Sequence, residues 1–237
     1  MRFTSMNGLA PENWSMFYEP GFAVLGVAMS RPARDPRIAF FDAQAATWDT
    51  DGPAMGTALA RLDALAPTLA LQPGYNVLEV GCGTGQVTRW LAQQVRPGRV
   101  TAIDFSPAMV ARACRKSIDA HFRCADVCSD DLPTDCFDVV FCMHAFPHFR
   151  DKPTALRNIS RALKPGGRLI VLHLRSWQNV NAFHDRVGGA IAGDHLPAPT
   201  EWPVLLNQAA LKITQLIEPG DLFLLIAEDA SPTPKQA

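Results

Sequence analysis

VLEVGCGTGQ, residues 77–86, is an apolar strand that ends near an acid and runs into three glycines at alternate positions. A glycine-rich turn between a strand and a helix most often meets a phosphate, because backbone N–H groups at a helix N-terminus point at the anion. A P-loop needs Lys followed by Ser or Thr after its last glycine, whereas Gly85 is followed by Gln86 and Val87. That reading fails. A dinucleotide loop needs G-x-G-x-x-G; Gly81 and Gly83 fit, but Gln86 stands at the sixth position, which weakens the reading without removing it. What stands is Glu79, two residues before a G-x-G-x-G turn at Gly81, Gly83 and Gly85, with a helical stretch from Gln86 to Val95 behind it.

These residues resemble the first strand and loop of the class I S-adenosylmethionine-dependent methyltransferases, which read E/D-x-G-x-G-x-G. S-adenosyl-L-methionine carries a sulfonium, an amino acid and an adenosine but no phosphate, so the loop need only approach closely. Glycine allows that, having no Cβ and reaching positive φ without strain. The resemblance extends downstream. RVTAIDFS, 99–106, ends its strand at Asp104, 19 residues beyond Gly85, where a carboxylate can accept both hydroxyls of a ribose. Ser106 as N-cap and Pro107 at the first helical position serve the following helix. In HFRCADV the resemblance places Asp126 on the adenine amino group and the Val127 N–H on the ring. FDVVFCMHAF, 137–146, resembles the family's fourth strand; a helix over 152–163 and LKPGGRLIVLHL, turning at Gly166 and Gly167, resemble the entry to its fifth. These markers fall in family order over about residues 74–175. The donor contacts they imply are Glu79, Gly81, Cys82, Gly83 and Gly85 on the first loop, Asp104 and Phe105 after strand two, Asp126 and Val127 after strand three, and Met143 on strand four.

A chain of 237 residues with 48% apolar residues suits one large α/β domain. The expected fold is α/β: a Rossmann-like, doubly wound, seven-stranded sheet, mostly parallel with an antiparallel last strand. KITQLIEPGDLFLLIAED reads as the closing hairpin, turning at Pro219 and Gly220. With 22 basic against 23 acidic residues and no run of Lys and Arg, the footprint of nucleic-acid binding is missing. CMHAFP after strand four lacks the Asn/Asp-Pro-Pro-aromatic signature of base-methylating relatives. Cys142, Met143 and HLRS supply neither part of a catechol-type magnesium site, so no metal is expected. Six cysteines, at 82, 114, 124, 128, 136 and 142, read as free thiols of a reducing cytoplasm, since a domain this long needs no disulfide staples. CADVC is not the C-x₂-C of a structural zinc site; a soft-metal or metalloid substrate handled by thiolates is a lesser alternative. The apolar runs 21–29 and 222–227 fall short of the roughly 20 residues that span a bilayer, so neither integral membrane association nor secretion is expected. Oligomeric state is left open.

Residues 1–53 read as an N-terminal extension and a pocket-covering helix. RIAFFDAQAATWD, 37–49, resembles the segment that roofs the donor pocket in ubiquinone and menaquinone biosynthesis methyltransferases, with Phe40, Phe41 and Trp48 as candidate shields. Residues 54–228 read as the methyltransferase domain, opening on an amphipathic helix at 54–71 and carrying a substrate-side segment at 175–203, while 229–237 read as a frayed tail. Histidines are biased: His144, His148, His173, His184 and His195 lie in or after strand four, and His121 alone precedes it. Methyl transfer needs alignment and, at most, removal of a proton, which histidine suits near neutral pH. His173 and His144, at strand ends, are the candidate bases; His148, His184 and His195 are candidate contacts to a small-molecule acceptor. The separation of 11 residues between His184 and His195, across three glycines, is no known ligand spacing. The expected function is methyl transfer from S-adenosyl-L-methionine to a small molecule. A donor- or product-binding protein of this fold without transfer, and an atypical nucleotide-dependent oxidoreductase, are the alternatives.

Overall fold

The computed structural model describes residues 35–51, 55–218 and 220–230. Asp35 caps the first helix, its carboxylate accepting from Arg37 N at 3.0 Å, and Pro36 opens it. This is α1 (Pro36–Gln44), followed after a turn by the single-turn α2 (Trp48–Asp51) and then by α3 (Met55–Leu69). A regular alternation follows: β1 (Asn76–Val80), α4 (Gln86–Val95), β2 (Arg99–Asp104), α5 (Pro107–Ala113), β3 (His121–Cys124), β4 (Phe137–Met143), α6 (Lys152–Ala162) and β5 (Leu163–His173). Beyond the parallel part lie α7 (Trp177–Val187), α8 (Trp202–Asn207), β6 (Leu211–Ile217) and β7 (Phe223–Asp229). Among the described residues no helix is long and apolar enough to cross a membrane.

The seven strands lie in the order β3-β2-β1-β4-β5-β7-β6. β1 to β5 run parallel, and β7 is antiparallel to both of its neighbours. The expected doubly wound sheet with its antiparallel last strand is the one observed. Both faces are covered, so the central strands are apolar on both sides. Val77, Val139, Phe141, Ile170, Leu172, Leu224 and Ile226 pack on one face with Leu62 and Leu69 of α3 and Trp90 and Leu91 of α4. Leu78, Val80, Val140, Leu169, Val171 and Leu225 pack on the other with Leu156 and Ile159 of α6 and Trp202 and Leu206 of α8. Strand order reverses between β1 and β4. In open α/β sheets the crevice outside the strand ends at such a point holds the ligand.

Several boundaries differ from the sequence reading. The segment 37–49 is two helices, interrupted at residues 45–47. Strand four stops at Met143 rather than continuing to 146, because His144 turns into the left-handed region at φ 57° and a 3₁₀ turn, Phe146–His148, follows. The Pro-Gly-Gly turn lies inside β5: Leu163 pairs with Phe137 and pairing resumes at Arg168 with Val139, so residues 164–167 bulge opposite Asp138. Lys164 Nζ closes that bulge on the Asp138 carboxylate at 2.7 and 2.8 Å. The substrate-side segment 175–203 contains all of α7. The expectations for residues 1–34, for Pro219 at the hairpin turn and for 231–237 fall outside the described residues.

Gly81, the first residue after β1, shows how tightly the crevice is closed below. Its φ is +78°, and a Cβ there would stand 2.3 Å from Ala145 Cβ. Gly220, at φ +65°, has open space around it. Gly81→Ala should therefore combine backbone strain with overpacking, about 2–4 kcal/mol together, whereas Gly220→Ala should show the strain alone. Urea unfolding of both variants checks the difference, and Ala145→Gly in the Gly81→Ala background should restore the steric part.

Candidate functional site

The glycine loop spends its amides on the protein itself. Gly81 N and Cys82 N both donate to Ile103 O at the end of β2, at 2.8 and 3.0 Å, and Gly85 N donates to Cys82 O at 2.9 Å. Gly83 N donates to Asp104 Oδ2 at 2.8 Å. A phosphate cradle needs such N–H groups directed at the anion, and here those of Gly81, Cys82 and Gly83 are directed at β2 and that of Gly85 at the loop itself. Gly85, at φ +80°, begins α4 without a side-chain cap; a Cβ on it would press on Ile118, Ala113 and Phe122 at 3.1–3.3 Å. The loop is shaped for close approach by something other than a phosphate.

Two acids meet beneath it. Asp104, 6% exposed, accepts from Gly83 N and, through Oδ1, from Ser106 N at 2.8 Å. A carboxylate offers about four lone-pair sites, so capacity for further donors remains. Burial pushes its pKa up to about 6. Glu79, 3% exposed, accepts from Thr88 Oγ1 at 2.5 Å, and burial, with the Asp104 charge nearby, raises it to about 8. Cys82 is buried in the loop with its Sγ directed at Gly83 O, and burial keeps it a thiol. Met143 closes the floor at the end of β4 and is 8% exposed.

α1 and α2 pack beside the glycine loop and the start of α5. Asp42 accepts from Ser106 Oγ at 2.6 Å and from Ala108 N at 3.2 Å, tying α1 to the start of α5. Asp49 accepts from Thr84 Oγ1 at 2.5 Å and pairs with Lys116 Nζ at 2.7 Å, tying α2 to the glycine loop. The Trp48 indole nitrogen lies 3.5 Å from where a Cβ of Gly83 would stand. Phe41 gathers the aromatic groups, with Phe105, Trp48, Phe40 and His148 all edge-on at 4.9–5.9 Å between centroids. After β3, the Asp126 carboxylate accepts from Cys128 N at 2.8 Å and pairs with Arg150 at 2.6 Å, while Val127 is buried and its carbonyl takes Asn158 Nδ2 at 2.8 Å.

The histidines divide. His148 Nδ1 meets Asp194 Oδ2 at 2.8 Å, and Arg37 Nη1 reaches both Asp194 Oδ1, at 3.3 Å, and His148 O, at 3.0 Å. His184 packs on the same group, its ring tilted 50° to that of His148 with centroids 4.8 Å apart and its Nδ1 2.5 Å from Asp194 O. Burial, then the neighbouring His148, lowers the His184 pKa. His144 follows the end of β4 and is open to solvent on one side; desolvation by the protein around it, followed by the Arg175 and Arg61 charges, takes its pKa down to about 4. His173, the other candidate base, is 1% exposed and packs against the His144 and Phe223 rings. His195 pairs with Asp185 at 2.8 Å on the surface. It lines a separate cavity of about 750 Å³ with Arg150, Lys152, Trp177 and Leu205, away from the glycine loop. Among the described residues no three His, Cys, Asp or Glu side chains converge in metal-binding geometry. Arg37 and Asp194 were not picked out as a pair by the sequence reading, because 157 residues separate them.

Sheet order, glycine loop and the acid at the end of β2 give the Rossmann-like α/β fold that SAM-dependent methyltransferases of known structure share. Residues 78–171 match the family model described as "Methyltransferase domain". The chain is 39% identical over 104 residues to 2-methyl-6-phytyl-1,4-hydroquinone methyltransferase of Synechocystis sp., covering 43% of this chain and 32% of that protein. It is 37% identical over 134 residues to ubiquinone biosynthesis O-methyltransferase of Xanthomonas campestris pv. campestris, covering 52% of this chain and 54% of that one. The chain thus spans between about a third and about half the length of these curated relatives. A SAM-dependent methyltransferase from Aquifex aeolicus shares the fold, with a TM-score of 0.59 at 20% identity over 82% of this chain and 98% of that chain.

The raised Glu79 pKa has a consequence for stability. Between the ordinary carboxylate value of 4.5 and about 8, the folded chain binds a proton at Glu79 that the unfolded chain has lost, so this residue makes stability fall as pH rises through that window. Glu79→Gln, which keeps an oxygen for Thr88, should remove that fall, at most about 1.4 kcal/mol per pH unit. Urea unfolding of parent and variant at pH 5 and pH 8 checks it: the variant should gain relative to the parent at the higher pH.

Proposed function

We propose that this chain transfers a methyl group from S-adenosyl-L-methionine to a small-molecule acceptor, by in-line displacement. The observation that carries the reading is the loop whose amides are spent on β2 and Asp104, leaving a glycine surface for a donor without phosphates. The match of residues 78–171 to the methyltransferase family supports it, as do the names of the relatives. In this reading Asp104 accepts the ribose hydroxyls with its remaining lone pairs, Asp126 and the Val127 N–H take the adenine edge, and Gly81, Gly83 and Gly85 let the backbone come close. Glu79, Cys82 and Met143 form the floor, and Phe105 with Phe41 and Trp48 of the roof excludes water. The bound donor supplies a methyl group already activated by its sulfonium. Free thiols at all six cysteines accord with a cytoplasmic location.

The protein's remaining task is to align the acceptor and receive its proton. We assign that proton to His148 Nε2 rather than to His173 or His144. The Asp194 carboxylate, held in turn by Arg37, fixes the other nitrogen of the His148 ring, the arrangement in which an acid orients a histidine base. His184 packs against His148 and borders the acceptor side, and His144 faces the same strand end.

Two measurements test this. Asp104→Ala should weaken binding of S-adenosylhomocysteine at least about tenfold, since hydrogen bonds to a charged group contribute roughly 1.5–3 kcal/mol each. Calorimetry showing unchanged affinity in a folded variant would remove the ribose assignment. His148→Gln should leave that affinity intact and lower the rate of methyl transfer by about 10²–10⁴, the range for a positioned base. Near-parent turnover would return the proton to solvent or to another group.

A further inference from the structure

His144 and His173 meet through their Nδ1 atoms, 3.4 Å apart, with ring planes 85° to one another. Two imidazole nitrogens can form a hydrogen bond only if one carries the proton and the other a lone pair. Burial lowers the pKa of His173, and desolvation by the surrounding protein with the nearby Arg175 and Arg61 charges lowers that of His144 although one edge of its ring meets solvent, so near pH 7 both rings are neutral and a single proton lies between them. His173 decides which ring owns it. That side chain is 1% exposed, and its Nε2 is a buried polar atom without a hydrogen-bond partner among the described residues. Were the shared proton on His144, His173 would have to carry its own on Nε2, as an orphaned buried N–H, the rarest kind of unsatisfied group. With the proton on His173 Nδ1, Nε2 presents only a lone pair, and His144 Nδ1 becomes the acceptor.

His144 must then hold its own proton on Nε2. The opposite holds four residues later, where the Asp194 carboxylate, an acceptor only when ionised, meets His148 Nδ1 at 2.8 Å and so fixes the proton there. We propose that these two rings present opposite tautomers, His144 offering an Nε2–H donor and His148 an Nε2 lone pair, and that His173 is the positioning residue that sets the first. The acceptor this favours has a proton to lose and, elsewhere on the molecule, an oxygen able to accept a hydrogen bond. That last statement rests on the methyl-transfer reading and on His148 as base; the tautomers do not.

Long-range ¹H–¹⁵N correlation spectra of the ¹⁵N-histidine-labelled full chain at pH 7.5, without ligand, read the tautomers directly, with signals assigned by single substitutions. Expected are protonated Nδ1 in His173 and His148 and protonated Nε2 in His144. His173→Asn, whose amide N–H stands near the Nδ1 position, should keep His144 in that form. His173→Phe should release it to a mixture of both tautomers. An Nδ1-protonated His144 in the parent overturns the proposal, as does an unchanged His144 in folded His173→Phe; should that variant not fold, the parent spectrum alone decides. Failure here leaves donor binding at Asp104 untouched, so the two readings fail separately.

Discussion

Everything at the site depends on how closely the ends of β1 and β4 approach at the reversal of strand order. Gly81 has room for a hydrogen where any other residue would strike Ala145. Because the chain can pass at that point, the loop lies flat across the strand ends and reaches β2, where Ile103 O and the Asp104 carboxylate take its amides. The same path delivers Gly85 to the start of α4 in a left-handed conformation, so the helix points away from the crevice without a capping side chain. Close approach, spent amides and an acid turned toward the loop are three results of one steric constraint.

The polar groups around the crevice set burial against partnership. Asp104 and Glu79 are held in surroundings that disfavour their charge, offset by amide and hydroxyl donors, and the cost of burying them is the usual mark of a site kept for chemistry rather than stability. α1 and α2 differ, being attached by Asp42 and Asp49 to Ser106, Thr84 and Lys116, with the aromatic cluster at Phe41 filling the space between. Arg37 extends the same helix to Asp194 and His148, so one element is tied both to the start of α5 and to the histidine group.

Much of this was legible in the chain itself. The strand, loop and helix from 76 to 95, the Ser106 cap and the closing hairpin rest on local rules of burial, capping and turn chemistry, and the observed elements follow them. The resemblance located Asp104 for the same reason, since its position is fixed by the length of one βαβ unit. The surroundings of the histidines are not legible where they depend on pairing across the sheet. His173 looks like a strand-end group open to the crevice, but it pairs in register with Phe223 of β7 and lies under His144, and no local pattern contains that register. Likewise, the left-handed turn at His144 shortens β4 without a glycine to announce it. The Arg37, Asp194 and His148 group joins three distant segments, and only the packing of α1 against the sheet brings them together.

The order of strands in space also bears on how the chain comes to be folded. β7 lies between β5 and β6, although it is the last of the seven to be synthesised. Until residues 223–229 have left the ribosome, β6 has no strand to join and β5 presents an unpaired apolar edge. The parallel half can assemble as it emerges, since domains generally acquire structure from the N-terminal side during synthesis, but the sheet closes only with its final strand. His173, which that strand covers through Phe223, is among the last groups of this sheet to leave water, so the crevice takes its final form only once β7 has joined.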